Sequence, residues 1–172
     1  ITVDPAEGRI GGDWSVISVW ESAPDRFTTL ARLKINCPPV ELASHIVNVA
    51  NQFQNPLVAV ERNAIGQLVL YRLEELGYGN LYMGMTAGGE ITDSVGWHTS
   101  ARTKPMMIAA FRQMVESGEA MIYDTELVEQ MGNVQLDDLG RAVTPKHQHD
   151  DIFIAACIAA MAREQAGYTI HG

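Results

Sequence analysis

The alternation of apolar and polar positions divides the chain into strands early on and helices later. Thr2-Val3-Asp4 opens an extended stretch, because the residue before Pro5 is pushed towards β geometry. A polar, glycine-bearing loop, Ala6 to Gly12, leads into Trp14-Ser15-Val16-Ile17-Ser18-Val19-Trp20, which is β-rich and roughly alternating. Even spacing puts Trp14 and Trp20 on one face of this strand, where packing is their default role. Residues Arg26–Ile35 read as a third strand after a turn around Pro24-Asp25, and three strands with short connections predict an antiparallel meander.

Past Pro38-Pro39 the period lengthens. Val40, Ala43, Val47, Ala50 and Phe53 recur at helical spacing until Asn55-Pro56 stops them. Leu57-Val58-Ala59-Val60 is a short continuous apolar run ending in Glu61, the signature of a strand covered on both faces. A second helix places Ile65, Leu68, Val69, Leu73 and Leu76 on one side and stops at Gly77. Gly79–Met83 reads as another short strand, and the glycine-bearing Gly84–Ser100 as a loop or hairpin that holds Trp97. Pro105–Glu116 is helical by the spacing of Ile108, Phe111 and Val115. Ala120 to Tyr123 reads as a strand, and Thr125–Met131 as a short helix. From about Asp150 to Glu164, apolar residues surround most of the helix circumference, so this helix should be buried against the sheet. The order predicts one α/β domain over residues 1–172, a mixed sheet with an antiparallel three-strand meander plus parallel strands and helices on both faces. That order matches the ribonuclease H-like fold.

Composition narrows the picture. With 47% hydrophobic residues in 172 the chain can build a substantial core, and no repeat or low-complexity segment interrupts it. Twelve Lys and Arg against 21 Asp and Glu give a net charge of −9, so long-range attraction cannot draw a polyanion to it. A nucleic-acid contact must be local or use metal ions. No apolar run reaches the roughly 20 residues that cross a bilayer, and the start has no signal-peptide character, so a soluble, unprocessed chain without a membrane partner is expected. Cys37 and Cys157 show no CxxC spacing, which points away from zinc and disulfide scaffolds and fits a reducing compartment. Ile1 enters a strand directly, as in a domain cut from a longer polypeptide.

The chemistry lies in acids placed where burial is expensive. Asp4 sits inside the first strand, Glu61 ends the most apolar strand, and Asp150-Asp151 open the most apolar helix. Each has a plain alternative: a turn residue beside proline, the first solvated residue after a strand, a helix N-cap or dipole partner. Jointly they mean more. If the first and fourth elements are neighbouring strands, Asp4 and Glu61 project at one sheet edge and the last helix brings its acids to them. Clustered carboxylates repel, and divalent cations are what neutralises them. Oxygen ligands favour Mg²⁺ or Mn²⁺ over zinc.

Four stretches then resemble one family in order. These are Val3-Asp4-Pro5-Ala6-Glu7-Gly8 followed by Gly11-Gly12-Asp13-Trp14-Ser15-Val16; Val58-Ala59-Val60-Glu61-Arg62-Asn63-Ala64-Ile65-Gly66; Gly96-Trp97-His98-Thr99-Ser100 with Thr103-Lys104-Pro105; and His149-Asp150-Asp151 before an Ala-rich helix. They are similar to the nuclease domain of the large terminase subunit of tailed double-stranded DNA viruses. The resemblance implies a metal-dependent endonuclease that cuts concatemeric double-stranded DNA during genome packaging in the cytoplasm of an infected or lysogenic bacterial host. It further implies an ATPase motor domain ahead of this chain, which itself has no GxxxxGK[ST] loop, and a small terminase subunit and portal as partners. By position, Asp4, Glu61, Asp150 and Asp151 correspond to the metal-binding, catalytic acids, with Asp13 as a weaker candidate. Which of Asp150 and Asp151 is the direct ligand stays open, because adjacent helical residues point about 100° apart. Two ions would activate a water and stabilise the leaving 3′-oxygen.

Local cations that could touch DNA are Arg62, Arg102, Lys104, Lys146, His147 and His149, each also readable as a solvated surface residue. No base-reading module is evident, so weak, salt-sensitive binding with little sequence preference is expected. Trp97, in a loop, leaves partner or DNA contact open. Rival readings are another ribonuclease H-like nuclease, such as a resolvase or transposase core, a non-catalytic packaging or docking module, and a nucleotide-binding member of the wider superfamily. A zinc site at His147 and His149 and a serine hydrolase lack the required partners.

Overall fold

The computed structural model describes residues 1–9, 12–85, 90–136, 142–143 and 149–167. Its main sheet has five strands. β1 (Thr2–Asp4), β2 (Ser15–Ala23) and β3 (Arg26–Ile35) form the expected antiparallel meander. β4 (Ala59–Val60) then joins β1 in parallel and β7 (Ala120–Met121) joins β3 in parallel, giving the order β4-β1-β2-β3-β7. Between β4 and β7 the chain forms α2 (Ala64–Glu75), the two-stranded pair β5 (Met83–Met85) and β6 (Ile91–Val95), and α3 (Thr103–Glu116). α1 (Pro39–Gln52) precedes β4. α4 (Thr125–Asn133), the small pair β8 (Gln135–Leu136) and β9 (Ala142–Val143), and α5 (Asp151–Ala166) follow β7.

Strand alternation sorts the side chains into two cores. Val3, Ile17, Val58 and Val60 face α1 and α2, packing with Leu42, Ile46, Val69 and Leu73. Val16, Phe27 and Ala59 belong to the other core, with Phe111 of α3, Leu127 of α4 and nearly all of α5. Helices thus cover both faces, as the periodicity predicts. α5 is buried around most of its circumference from Ile152 to Ala160, which explains why its sequence shows no polar stripe.

Several local expectations are corrected. In α2 the buried side is Gly66, Val69, Leu70 and Leu73, whereas Leu68 is 56% and Leu76 40% exposed. Gly66 at the interface accounts for the rotation: a Cβ there would lie 1.8 Å from the Glu61 carbonyl oxygen, so α2 presents its side-chain-free position to Glu61, just past β4. The short strand expected at Gly79–Met83 begins at Met83. Its upstream part contributes an isolated bridge between Leu81 and Val58. Trp14 lies just ahead of β2 and is exposed, so the packing role expected for it is not met, while Trp20 packs in the α5-side core; the irregularity beside Val19 and Trp20 is an extra residue, Leu30, in β3. Trp20 instead stacks on Phe27 at 4.4 Å. Trp97 is buried, 7% exposed, and pairs with Glu61 through a parallel bridge, which removes it as a surface contact. Both cysteines are free and buried. Among the described residues no helix is long and apolar enough to cross a membrane.

Candidate metal centre

The β1–β4 pairing brings the first two acids together. Thr2 lies opposite Ala59 and Val3 opposite Val60, and the Glu61 amide donates to the Val3 carbonyl at 2.8 Å. One step further along the register stand Asp4 and Glu61. Both have the parity of Thr2 and Ala59, so both turn away from the α1–α2 core and towards α5. Burial, then the charge of Glu61, then that of Asp151, hydrogen bonding with Glu61 and the charge of Asp150 hold the Asp4 carboxyl well above the usual carboxylate range.

α5 supplies the other pair. Asp150 precedes its first turn and makes no side-chain capping hydrogen bond, so it does not fill the commonest role of an Asp at a helix start. It lies instead 3.6 Å from Lys104 Nζ, at the start of α3. Among the described residues Asp151 Oδ2 is enclosed and accepts no hydrogen bond, with His149 Nδ1 3.8 Å away. Burial raises the Asp151 carboxyl; His149 and Lys34 oppose the rise, while Asp13 and Asp150 add to it. His149 Nδ1 is also 3.7 Å from Asp13 Oδ1. Asp4, Asp13 and Asp151 line one cleft of about 490 Å³, with Trp14 and Asn63 on its wall. Among the described residues no three His, Cys, Asp or Glu side chains are already gathered at single-ion distances. The acids form a close Asp4–Glu61 pair, with Asp150 and Asp151 in electrostatic range and each turned to a local cation.

This donor set suits a hard divalent cation. It is made of carboxylate oxygens, one of them enclosed and without a hydrogen-bond donor among the described residues, and two of the carboxyls stand side by side on paired strands.

Asn63 escaped the sequence reading as a site residue. Its Oδ1 caps α2 by accepting from the Gly66 amide at 2.8 Å, while its Nδ2 donates to Glu61 Oε2 at 3.1 Å. The signal was available: an Asn just ahead of a helical apolar period is an N-cap, and a cap two residues after a strand-end Glu is beside it in space. Of the cationic candidates, Lys104 and His149 adjoin the acids. Arg102 is exposed just before α3, and Arg62 is partly buried with its Nε enclosed and without a hydrogen-bond partner among the described residues. Lys146 and His147 lie outside the described residues.

Residues 1–163 match the family described as the terminase RNase H-like domain. No curated protein sequence matches the chain. Among solved structures it resembles the large terminase nuclease of thermophilic phage G20c with bound cobalt, at 16% identity and TM-score 0.68 over 92% of this chain and 78% of that one. The P22 large terminase nuclease domain gives 16% identity and TM-score 0.66 over 99% and 84%. The manganese-soaked human cytomegalovirus terminase nuclease domain gives 16% identity and TM-score 0.58 over 93% and 80%. With a family match across nearly the whole chain and this shared ribonuclease H-like fold, the chain belongs to the terminase RNase H-like domain family.

Proposed function

We propose that this nuclease domain is a divalent-metal-dependent endodeoxyribonuclease that cuts double-stranded viral DNA during genome packaging. In this reading Asp4, Glu61 and the Asp150-Asp151 pair hold two Mg²⁺ or Mn²⁺ ions, with Asp13 at the margin. The single observation that carries it is the parallel register that sets Asp4 beside Glu61 on the face towards α5, with the helix acids in electrostatic range. The metal-bound relatives, with cobalt and manganese, support a divalent requirement. When bound, such ions lower the pKa of an attacking water and stabilise the leaving oxygen.

The chain's own groups do the rest. Asn63 holds Glu61 Oε2 beside the pair that Glu61 makes with Asp4. Lys104 balances Asp150, and His149 stands between Asp13 and Asp151, so each helix acid has a cation beside it that a phosphate could also engage. Arg62 and Arg102, with Lys146 and His147, complete the proposed DNA contacts. We place the domain within a longer large-subunit chain that carries an ATPase motor and works with a small subunit and portal in the bacterial cytoplasm.

The test is cleavage of supercoiled plasmid with Mg²⁺, Mn²⁺ or EDTA. The parent should nick and linearise the plasmid only with a divalent ion, and Asp4→Asn should lose at least 100-fold, roughly the scale of metal-assisted charge stabilisation. Full activity of the variant would remove Asp4 from the site. Faster cutting of a four-way junction than of linear duplex would favour a resolvase instead.

A further inference from the structure

Resting on that nuclease reading, we infer that Trp14 is a substrate contact, an aromatic platform on which a nucleotide flanking the scissile phosphate stacks. Trp14 lines the cleft that holds Asp4, Asp13 and Asp151, yet 43% of it stays exposed. The other two tryptophans pack on aromatic neighbours: Trp97 is buried beside Tyr82, and Trp20, partly buried, meets Phe27 and Phe111. A half-exposed indole forgoes the burial that those two obtain, and here it does so beside a cluster of carboxylates, with no apolar cluster to join.

The platform is anchored. Immediately after Trp14, the Ser15 hydroxyl accepts from the Ala6 amide at 2.9 Å. The Arg9 carbonyl accepts from Gly12 N at 3.0 Å and from Asn36 Nδ2 at 2.8 Å, tying the loop to the end of β3. Gly8, at φ +70°, passes so close to Cys37 that a Cβ would sit 2.1 Å from its carbonyl oxygen. A preorganised aromatic loses little freedom on stacking, and once the flanking nucleotide has unstacked from its neighbour in the duplex any base can serve, because every base has a π-face. It therefore supplies affinity that a chain of net charge −9 cannot draw from phosphate contacts alone.

The experiment uses Trp14→Ala and Trp14→Phe in the nuclease chain, with duplex DNA and Mn²⁺. Trp14→Ala should raise KM about tenfold, equivalent to about 1.4 kcal/mol, with kcat within about twofold and Tm unchanged, and Trp14→Phe should recover most of the loss. DNA added with Ca²⁺ should quench the parent's indole fluorescence and leave that of Trp14→Phe unchanged, since Trp20 and Trp97 do not line the cleft. Parent-like KM in Trp14→Ala, or equal quenching in Trp14→Phe, overturns the inference while metal-dependent cutting by the parent keeps the nuclease reading. A parent that cuts no DNA with any divalent ion sinks both.

Discussion

Asn63 serves two masters with one amide: its oxygen caps α2 and its nitrogen holds Glu61. The two roles separate chemically. Asn63→Asp keeps a capping oxygen, so stability should change by less than about 0.5 kcal/mol, but it replaces a donor to Glu61 with a like charge. The expected outcome is a parent-like urea midpoint with cleavage reduced about tenfold. Asn63→Ala should lose both, costing about 1 kcal/mol in the same denaturation series. Had Asn63→Asp kept full activity, the contact with Glu61 would be incidental. Residue-scale chemistry of this kind was partly legible in the sequence, since Asp4, Glu61, Asp150 and Asp151 stand out as acids on apolar elements. What the text could not show was orientation, which is why Trp14 and Trp97 exchanged roles: one left the packed strand for the cleft wall, and the other left the loop surface for the core.

At the scale of elements, one hydrogen bond sets how α5 lies along β1. The buried Thr2 hydroxyl donates to the Ala155 carbonyl at 2.8 Å. Two residues along the strand from Thr2 is Asp4, about 6.6 Å away, and one helical turn before Ala155 is Asp151, about 6 Å away. The near-equal steps mean that fixing Thr2 to Ala155 also fixes Asp151 near Asp4. Thr2→Val preserves shape and deletes the donor. Stability should fall by about 1 kcal/mol, while Mn²⁺ affinity measured by calorimetric titration should weaken about tenfold, and Thr2→Ser should restore it. Unaltered Mn²⁺ binding in Thr2→Val would show that packing alone aligns the helix. The helices themselves were readable because a 3.6-residue period is local, and α1, α3 and α5 begin within a few residues of their predicted starts. The buried side of α2 was not, because Gly66 decides it through a close approach to the Glu61 backbone and Pro5 that no period encodes.

For the whole molecule, acid excess and ion pairing pull stability in opposite directions with pH. Asp4 and Asp151 have raised carboxyl pKa values, so without metal they bind protons more readily folded than unfolded. Stability from them rises as pH falls through their folded values and levels off below the unfolded ones. Glu126 behaves oppositely. Its hydrogen bond to Lys34 and the nearby Arg32 hold its carboxyl below the ordinary 4.5, so its contribution is present above that value and is lost as pH falls through the folded pKa. About a third exposed, it contributes modestly. In EDTA, Tm should therefore peak at mildly acidic pH. Asp4→Asn should flatten the decline towards neutrality, and Glu126→Gln should flatten the fall below about pH 4.5. A Tm profile of Asp4→Asn that matches the parent's would mean that the acids are not coupled in the folded chain.

The sequence by itself determined the local alphabet of this protein: the meander, the amphipathic helices, the wholly apolar last helix, and the four acids at the ends of buried elements. These follow from side-chain periodicity and from the expense of burying charge, both of which act within a few residues. Only the tertiary structure decided that β4 pairs with β1 in the register that sets Glu61 beside Asp4, that α5 arrives with Asp151 at the same cleft, and that Trp14 forms its wall. The reason is physical: because strand side chains alternate, a shift of one residue in that pairing would turn Glu61 to the opposite face, and the register is fixed by packing between segments more than 50 residues apart.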